Sequence, residues 1–302
     1  MHSYSQDILQ KFKGTGVALI TPFKMDDTID FDGLKKLIDH VINGGVEYVV
    51  TMGTTGESVT LSEKERFSII DFTVTTTEKR VPVVAGFGGN NTREIISSIK
   101  RYSFSGIGGI LINSPYYNKP SQEGIYQHYM AIDEVSPLPI IIYNVPGRTS
   151  SNIEAETTVR LAKDARNIVG IKEASGNFMQ CMKIIRDVDK NFLVISGDDP
   201  ITLPFIATGM SGVISVVANA FPKQFSDMVR LCMQENFAAA KKLHLALLDF
   251  TELIFKEGSP AGVKCAMKYL GICGDKVRLP LWKVSEALEK KIQMSCDALS
   301  SK

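Results

Sequence analysis

The sequence predicts a single α/β fold of the (β/α)8-barrel type, a TIM barrel with an additional C-terminal helical segment, and three observations carry that prediction. Eight short apolar, β-branched runs recur at residues 17–21, 46–51, 81–86, 109–113, 139–144, 168–172, 192–196 and 212–217. They are continuous rather than alternating, as parallel strands covered on both faces should be. Their starts lie roughly 20–35 residues apart, room for one crossover helix each. An open doubly wound sheet is the alternative arrangement of the same units.

The segments between these runs read as helices. Residues 32–41 place Leu34, Leu37, Ile38 and Val41 on one face and stop at Asn43-Gly44-Gly45, a C-terminal capping signal. Ser62-x-x-Glu65 is a capping box that opens the next helix. Residues 154–163 and 178–188 repeat the amphipathic pattern. After Ala220 the strand signals cease, and the chain reads as helical over 222–234, 236–255, 260–270 and 280–300. This divides the chain into a barrel at 1–225 and a helical region at 226–302. With no Gly/Ser-rich or Pro-rich linker between them, the tail is expected to pack on the barrel or to mediate assembly.

Composition narrows the function classes. The 302 residues are 44% hydrophobic and 22% charged, enough apolar material for a large core. A net charge of +1 leaves no electrostatic footprint for tracking nucleic acid or an anionic membrane. The opening stretch MHSYSQDILQKFKG lacks the apolar core of a secretory signal, and no apolar run approaches the ~20 residues needed to cross a bilayer. The expectation is a soluble, cytoplasmic protein. Cys181, Cys232, Cys265, Cys273 and Cys296 form no C-x-x-C pair and have no histidine at ligand spacing, so reduced thiols and no metal site are expected.

In such barrels the chemistry sits at the C-terminal ends of the strands. Lys172 ends an Ile-Val-Gly-Ile strand, where desolvation disfavours an ammonium and frees amine to attack a carbonyl. A lysine paired with Glu173 or reaching solvent is the blander alternative. Gly53-Thr54-Thr55-Gly56 is a glycine-flanked turn whose N–H groups can receive a carboxylate, although the same string also makes an ordinary strand-to-helix turn. The phenol of Tyr143 ends an Ile-Ile-Ile run and can move protons at the same mouth, or it can be a core tyrosine. Arg148, beyond Pro146-Gly147, offers a bidentate clamp for a second carboxylate or a surface charge. Tyr116 and Tyr117 follow strand four in a loop.

Side by side, Gly53 to Glu57, Pro115-Tyr116-Tyr117-Asn118-Lys119-Pro120, Tyr143 to Thr149, Ile171-Lys172-Glu173 and Ser196-Gly197-Asp198-Asp199 resemble the pyruvate-dependent class I aldolases of the dihydrodipicolinate synthase and N-acetylneuraminate lyase family. The motifs occur in family order, and the resemblance covers roughly residues 10–300. It implies that Lys172 forms an imine with pyruvate, whose carboxylate rests on Thr54 and Thr55. It implies proton transfer by Tyr143, linked through the Thr55 hydroxyl to Tyr117 of a neighbouring subunit. Arg148 would bind aspartate semialdehyde, and Gly197 and Ile214 would line the pyruvate pocket. No metal or organic cofactor is then required, and a homotetramer built as a dimer of dimers is expected.

Sialic-acid lyases of this family tend to carry Ser where this chain has Thr54 and lack the arginine at Arg148; both differences favour the synthase branch. That branch makes 4-hydroxy-tetrahydrodipicolinate on the way to diaminopimelate and lysine. Ser58, Asn90, Glu94 and Tyr116 match a lysine-binding allosteric site of the family, but Glu63 and Arg66 stand where strongly inhibited members carry histidines. A cationic Arg66 predicts weak or absent inhibition by lysine. Rival functions are an aldolase acting on another aldehyde, such as a sugar-acid lyase, and a non-catalytic barrel serving as sensor or scaffold.

Overall fold

In a computed structural model that describes residues 9–300, eight parallel strands close on themselves in sequence order. They are β1 (Gly14–Ala18), β2 (Tyr48–Thr51), β3 (Val83–Gly86), β4 (Gly109–Asn113), β5 (Ile140–Asn144), β6 (Ile168–Glu173), β7 (Leu193–Ser196) and β8 (Gly212–Ser215), with β8 pairing back onto β1. The outer layer comprises α1 (Phe31–Asn43), α2 (Glu63–Thr77), α3 (Thr92–Arg101), α4 (Gln122–Asp133), the single turn α5 (Pro146–Thr149), α6 (Ala155–Asp164), α7 (Phe178–Asp187), α8 (Thr202–Ala207) and α9 (Pro222–Met233). The tail adds α10 (Phe237–Phe255), α11 (Ala261–Tyr269) and α12 (Glu286–Ser300). Residues 1–8 of the opening stretch and the last two residues of the tail lie outside the described residues.

The closed barrel settles the choice against an open sheet. Two apolar clusters hold it together. Tyr48, Val50, Val84, Leu111, Ile141 and Ile195 belong to the one inside the barrel, and Val49, Val83, Ile110, Ile142 and Val194 face the helices in the other. The Ser62 capping box forms as the sequence requires, with the Ser62 hydroxyl accepting the Glu65 N–H and the Glu65 carboxylate accepting the Ser62 N–H; such a cap is worth about 1 kcal/mol.

Strand edges differ from the apolar runs for local reasons. β1 starts at Gly14, three residues before the apolar run, and Gly14–Val17 pair with Gly212–Ser215. Gly16 is needed because a Cβ there would lie 2.3 Å from the Tyr48 ring. β8 stops at Ser215 rather than 217 because the N–H groups of Val216 and Val217 turn to the Asp199 carboxylate, at 2.9 and 3.0 Å. The last helix starts at Glu286, not 280: the Ser285 hydroxyl accepts the Leu288 N–H and is itself held by Glu257.

Helix α9 crosses position 225, so no break separates barrel from tail there. α10 packs on α9 and α8, and α12 packs on α10 and α11.

Candidate active site

A register shift decides which way Lys172 points. Between β5 and β6 the Cα partners run Ile140 with Ile168, then Ile141 with Gly170, leaving Val169 as an extra residue. Val169 belongs to the inner cluster and Ile171 to the outer one. Unbroken alternation from Val169 would turn Lys172 towards the helices; the bulge reverses this and sets Lys172 beside its partner Tyr143, whose side chain is inside the barrel. The Lys172 Nζ lies 4.3 Å from the centre of the Tyr143 ring.

Both groups are buried, with 5% of Lys172 and 6% of Tyr143 exposed. Desolvation dominates each. It pulls the Lys172 amine down to about 8, with the Arg148 charge adding to the fall and Asp199 opposing it. A fall from 10.5 to about 8 raises the neutral fraction at pH 7 from about 0.03% to about 10%. Burial pushes the Tyr143 phenol up to about 12, eased by the Arg148 charge and by the Thr54 side chain. Tyr143 is therefore protonated and ready to donate.

Lys172 is not paired with Glu173. That carboxylate is turned away and saturated: Asn144 Nδ2 reaches both of its oxygens, at 3.1 and 3.0 Å, the Ser175 N–H donates at 2.7 Å and Gln180 Nε2 at 3.0 Å. Space for Lys172 comes from Gly197, where a Cβ would lie 2.9 Å from the Lys172 Cε and 2.8 Å from Ala174. Ile214 is buried in the same inner cluster.

Thr54, Thr55 and Gly56 form one tight turn after β2. Its own hydrogen bonds use the N–H groups of Gly56 and Glu57, to Gly53 and Thr54 carbonyls at 3.0 and 3.1 Å. The N–H groups of Thr54 and Thr55 have no acceptor among the described residues, which suits a carboxylate. Met52 and Glu57, at φ 57° and 54°, hold the turn between two left-handed residues. The Thr21 hydroxyl donates to the Gly56 carbonyl at 2.6 Å. Of the two hydroxyls, that of Thr54 eases the proton affinity of the Tyr143 phenol, while Thr55 is the buried one, 6% exposed.

A cavity of about 440 Å³ opens beside the turn, lined by Thr54, Leu111, Asn113, Tyr143, Val145 and Arg148, with Lys172 and Thr55 outside its lining. Arg148 is exposed on α5 at its rim. Tyr117 is elsewhere: 87% exposed, with φ 72°, it stands out into solvent rather than over its own chain's cavity. Such a left-handed tyrosine is costly unless something uses it.

The candidate lysine-site residues divide between two cavities. Ser58 and Tyr116 line the larger one, Glu94 lines a second of about 270 Å³, and Arg66 lines both. Asn90 holds the loop instead, its amide donating to the Tyr116 carbonyl at 3.3 Å. Glu63 is taken up by Arg101 and by the Ser98 hydroxyl.

Sequence reasoning missed the Val169 bulge and two further groups. Asp199 is a buried carboxylate with one oxygen unpartnered and its charge felt at Lys172. Lys264 in the tail pairs with Glu57 beneath the turn. The double acid after Ser196-Gly197 was the available signal for Asp199; nothing in the local sequence marks Lys264.

The profile of the Dihydrodipicolinate synthetase family matches residues 11–299. The chain is 51% identical to the 4-hydroxy-tetrahydrodipicolinate synthase of Flavobacterium psychrophilum over 97% of its own length and all of that protein's. It is 47% identical to the Parabacteroides distasonis protein of the same name, over 96% and 98% of the two chains. Among solved structures, dihydrodipicolinate synthase from Aquifex aeolicus superposes with a TM-score of 0.93 at 38% identity, covering 96% of this chain and 98% of that one. A dihydrodipicolinate synthase described as a monomeric variant superposes at 0.94 with 35% identity, covering 97% and 99%.

Proposed function

The chain belongs to the dihydrodipicolinate synthetase family, and from that premise we propose how its residues condense pyruvate with L-aspartate 4-semialdehyde to 4-hydroxy-tetrahydrodipicolinate, the first committed step toward diaminopimelate and lysine. The enzyme is a carbon–oxygen lyase working through a Schiff base. The observation that carries the assignment of roles is the buried, carboxylate-free Lys172 amine against the Tyr143 ring, with its proton affinity lowered to about 8.

Neutral Lys172 attacks C2 of pyruvate and water leaves, giving a protonated imine. The carboxylate rests on the free N–H groups of Thr54 and Thr55. The imine draws electrons from C3, a C3 proton is lost, and the resulting enamine attacks the aldehyde carbon. Tyr143 relays the protons of these steps, with Thr54 as its hydroxyl partner. Arg148 at the rim receives the carboxylate of the semialdehyde. The substrate's own amine then attacks the imine carbon, closes the ring and expels Lys172. Gly197 and Ile214 shape the wall behind pyruvate.

Tyr117 fits a role in a neighbouring copy's site, because it is exposed and strained at its own. The assembly is a homotetramer, a dimer of dimers, in which barrel and tail act together. A monomer that keeps full activity on dilution, followed by sedimentation and assay, would count against it. Lysine is a weak inhibitor or none, since Arg66 borders both cavities and Glu63 is occupied by Arg101.

The direct test is condensation followed through a coupled reductase, with Lys172→Ala as control and borohydride trapping of the pyruvate adduct. Loss of both signals in the variant is expected. An active or trappable Lys172→Ala enzyme sinks the assignment of the nucleophile. Wild type inactive with the semialdehyde but trapped by pyruvate would shift the acceptor to a sugar-derived aldehyde.

A further inference from the structure

The turn that seats the pyruvate carboxylate is not self-supporting. It has two internal hydrogen bonds and is bounded by two left-handed, non-glycine residues, Met52 and Glu57. Each such residue costs on the order of a kcal/mol unless its surroundings hold it. Thr21 holds the turn from the β1 side, through the Gly56 carbonyl. The other hold comes from a part of the chain more than 200 positions away.

Glu57 closes the turn and sends its carboxylate down into the protein, where it is 2% exposed. One oxygen receives the Lys264 ammonium of α11, and the other accepts the Arg278 N–H at 3.0 Å. Lys264 is itself 0% exposed, donates to the Lys276 carbonyl at 2.7 Å and lies 4.3 Å from the centre of the Phe23 ring. Nearby, the Arg278 guanidinium grips the Glu65 carboxylate and the Thr60 carbonyl, fixing the chain that follows the turn. The tail thus supplies a partner for each oxygen of Glu57, one an ammonium and one a backbone N–H.

We propose that Lys264, which touches no substrate, is a positioning residue for the carboxylate-binding turn, so that the helical tail is a working part of the pyruvate site. The proposal rests on the reading of that turn as the carboxylate seat. The pair is neutral as a whole, so it sets the geometry of Thr54 and Thr55 and leaves the field at Lys172 unchanged. A misplacement of about 1 Å in a binding group can cost up to ~100-fold.

Two experiments test it. In the wild-type protein, amide hydrogen exchange is read by mass spectrometry over residues 52–58 and 261–279, before and after borohydride trapping of pyruvate. Coupling is reciprocal, so the adduct must slow exchange in the tail peptide as well as in the turn. An adduct with unchanged tail exchange overturns this inference alone. Absence of any adduct overturns the imine reading and this inference with it.

The second uses Glu57→Gln/Lys264→Met, which removes both charges together, beside Ile292→Ala, a cavity on α12 that weakens the tail without touching the pair. A KM for pyruvate raised about 10- to 100-fold in the double variant is expected, with the pH midpoint of trapping unmoved and KM unchanged in Ile292→Ala. Wild-type KM in the double variant overturns the proposal, and so does an equal rise in Ile292→Ala. Should the double variant not fold, the exchange measurement decides.

Discussion

Two lysines of this protein are taken out of water, and they differ in what meets them. Lys172 at the barrel mouth and Lys264 in the tail each lie 4.3 Å from the centre of an aromatic ring, Tyr143 and Phe23 respectively. Desolvation pushes both amines down. Lys264 then meets the Glu57 carboxylate and the Lys276 carbonyl, and the carboxylate opposes that fall. Among the described residues Lys172 meets no carboxylate at hydrogen-bond distance, because Glu173 is turned outward and tied to Asn144, Ser175 and Gln180. Burial alone therefore does not set the chemistry of a lysine. Burial without a carboxylate partner suits the nucleophile we propose for Lys172, at a cost in stability, and the pair suits the positioning role we propose for Lys264.

The largest contrast should come from removing each amine in turn. Lys172→Met is expected to lose condensation by at least about 10³-fold while the fold becomes no less stable. With its pKa depressed from 10.5 to about 8, a protonated Lys172 costs the native state up to about 3 kcal/mol at pH 7. Because the unfolded chain holds that proton up to a higher pH, wild-type stability should rise with pH between about 8 and about 10.5, and this rise should vanish in Lys172→Met. A Lys172→Met protein that melts well below wild type at neutral pH would mean that the amine has a stabilising partner.

Lys264→Met should do the reverse to stability. Leaving Glu57 buried and unpaired costs about 3–5 kcal/mol, measured as a fall in the midpoint of denaturant or thermal unfolding. If that variant were as stable as wild type, Glu57 would be taking up a proton at little cost, and the contrast between the two lysines would shrink to a difference in location.

A smaller effect separates the two threonines. Thr54→Val removes the hydroxyl that eases the proton affinity of the Tyr143 phenol and is expected to lower kcat by about 10- to 100-fold. Thr55→Val, which removes a buried hydroxyl without that influence, should change kcat less. The opposite ranking in steady-state kinetics would return the relay to Thr55, where the sequence reading put it.

How much of this was legible beforehand follows from range. The barrel was, because eight continuous apolar runs at helix-sized spacing are local signals, and so was the place of Lys172 near the end of one of them. The orientation of Lys172 was not: a bulge at Val169 is a register relation between β5 and β6, and neither strand alone records it. The start of β1 was concealed as well, because Gly14, which yields to the Glu47 side chain, and Gly16, which yields to the Tyr48 ring, carry no apolar side chain to mark a strand. Glu57 with Lys264 was invisible for the same reason on a larger scale. Charge pairs formed across 207 positions leave no periodic trace.

The finest test of the comparison reads the field around Lys172, where the charged neighbours act with opposite sign. Arg148 lowers the affinity of the amine for its proton and Asp199 raises it. The rate of borohydride trapping with pyruvate should therefore climb with pH as Lys172 loses its proton, with a midpoint near 8. Arg148→Ala should move that midpoint up and Asp199→Asn should move it down, each by less than about one unit. Glu57→Gln, whose partner is Lys264, should leave it in place. Shifts of the same sign in the first two variants would mean that changes in burial, rather than charge, set the reactivity of this lysine, and the free oxygen of Asp199 would then have no bearing on the imine.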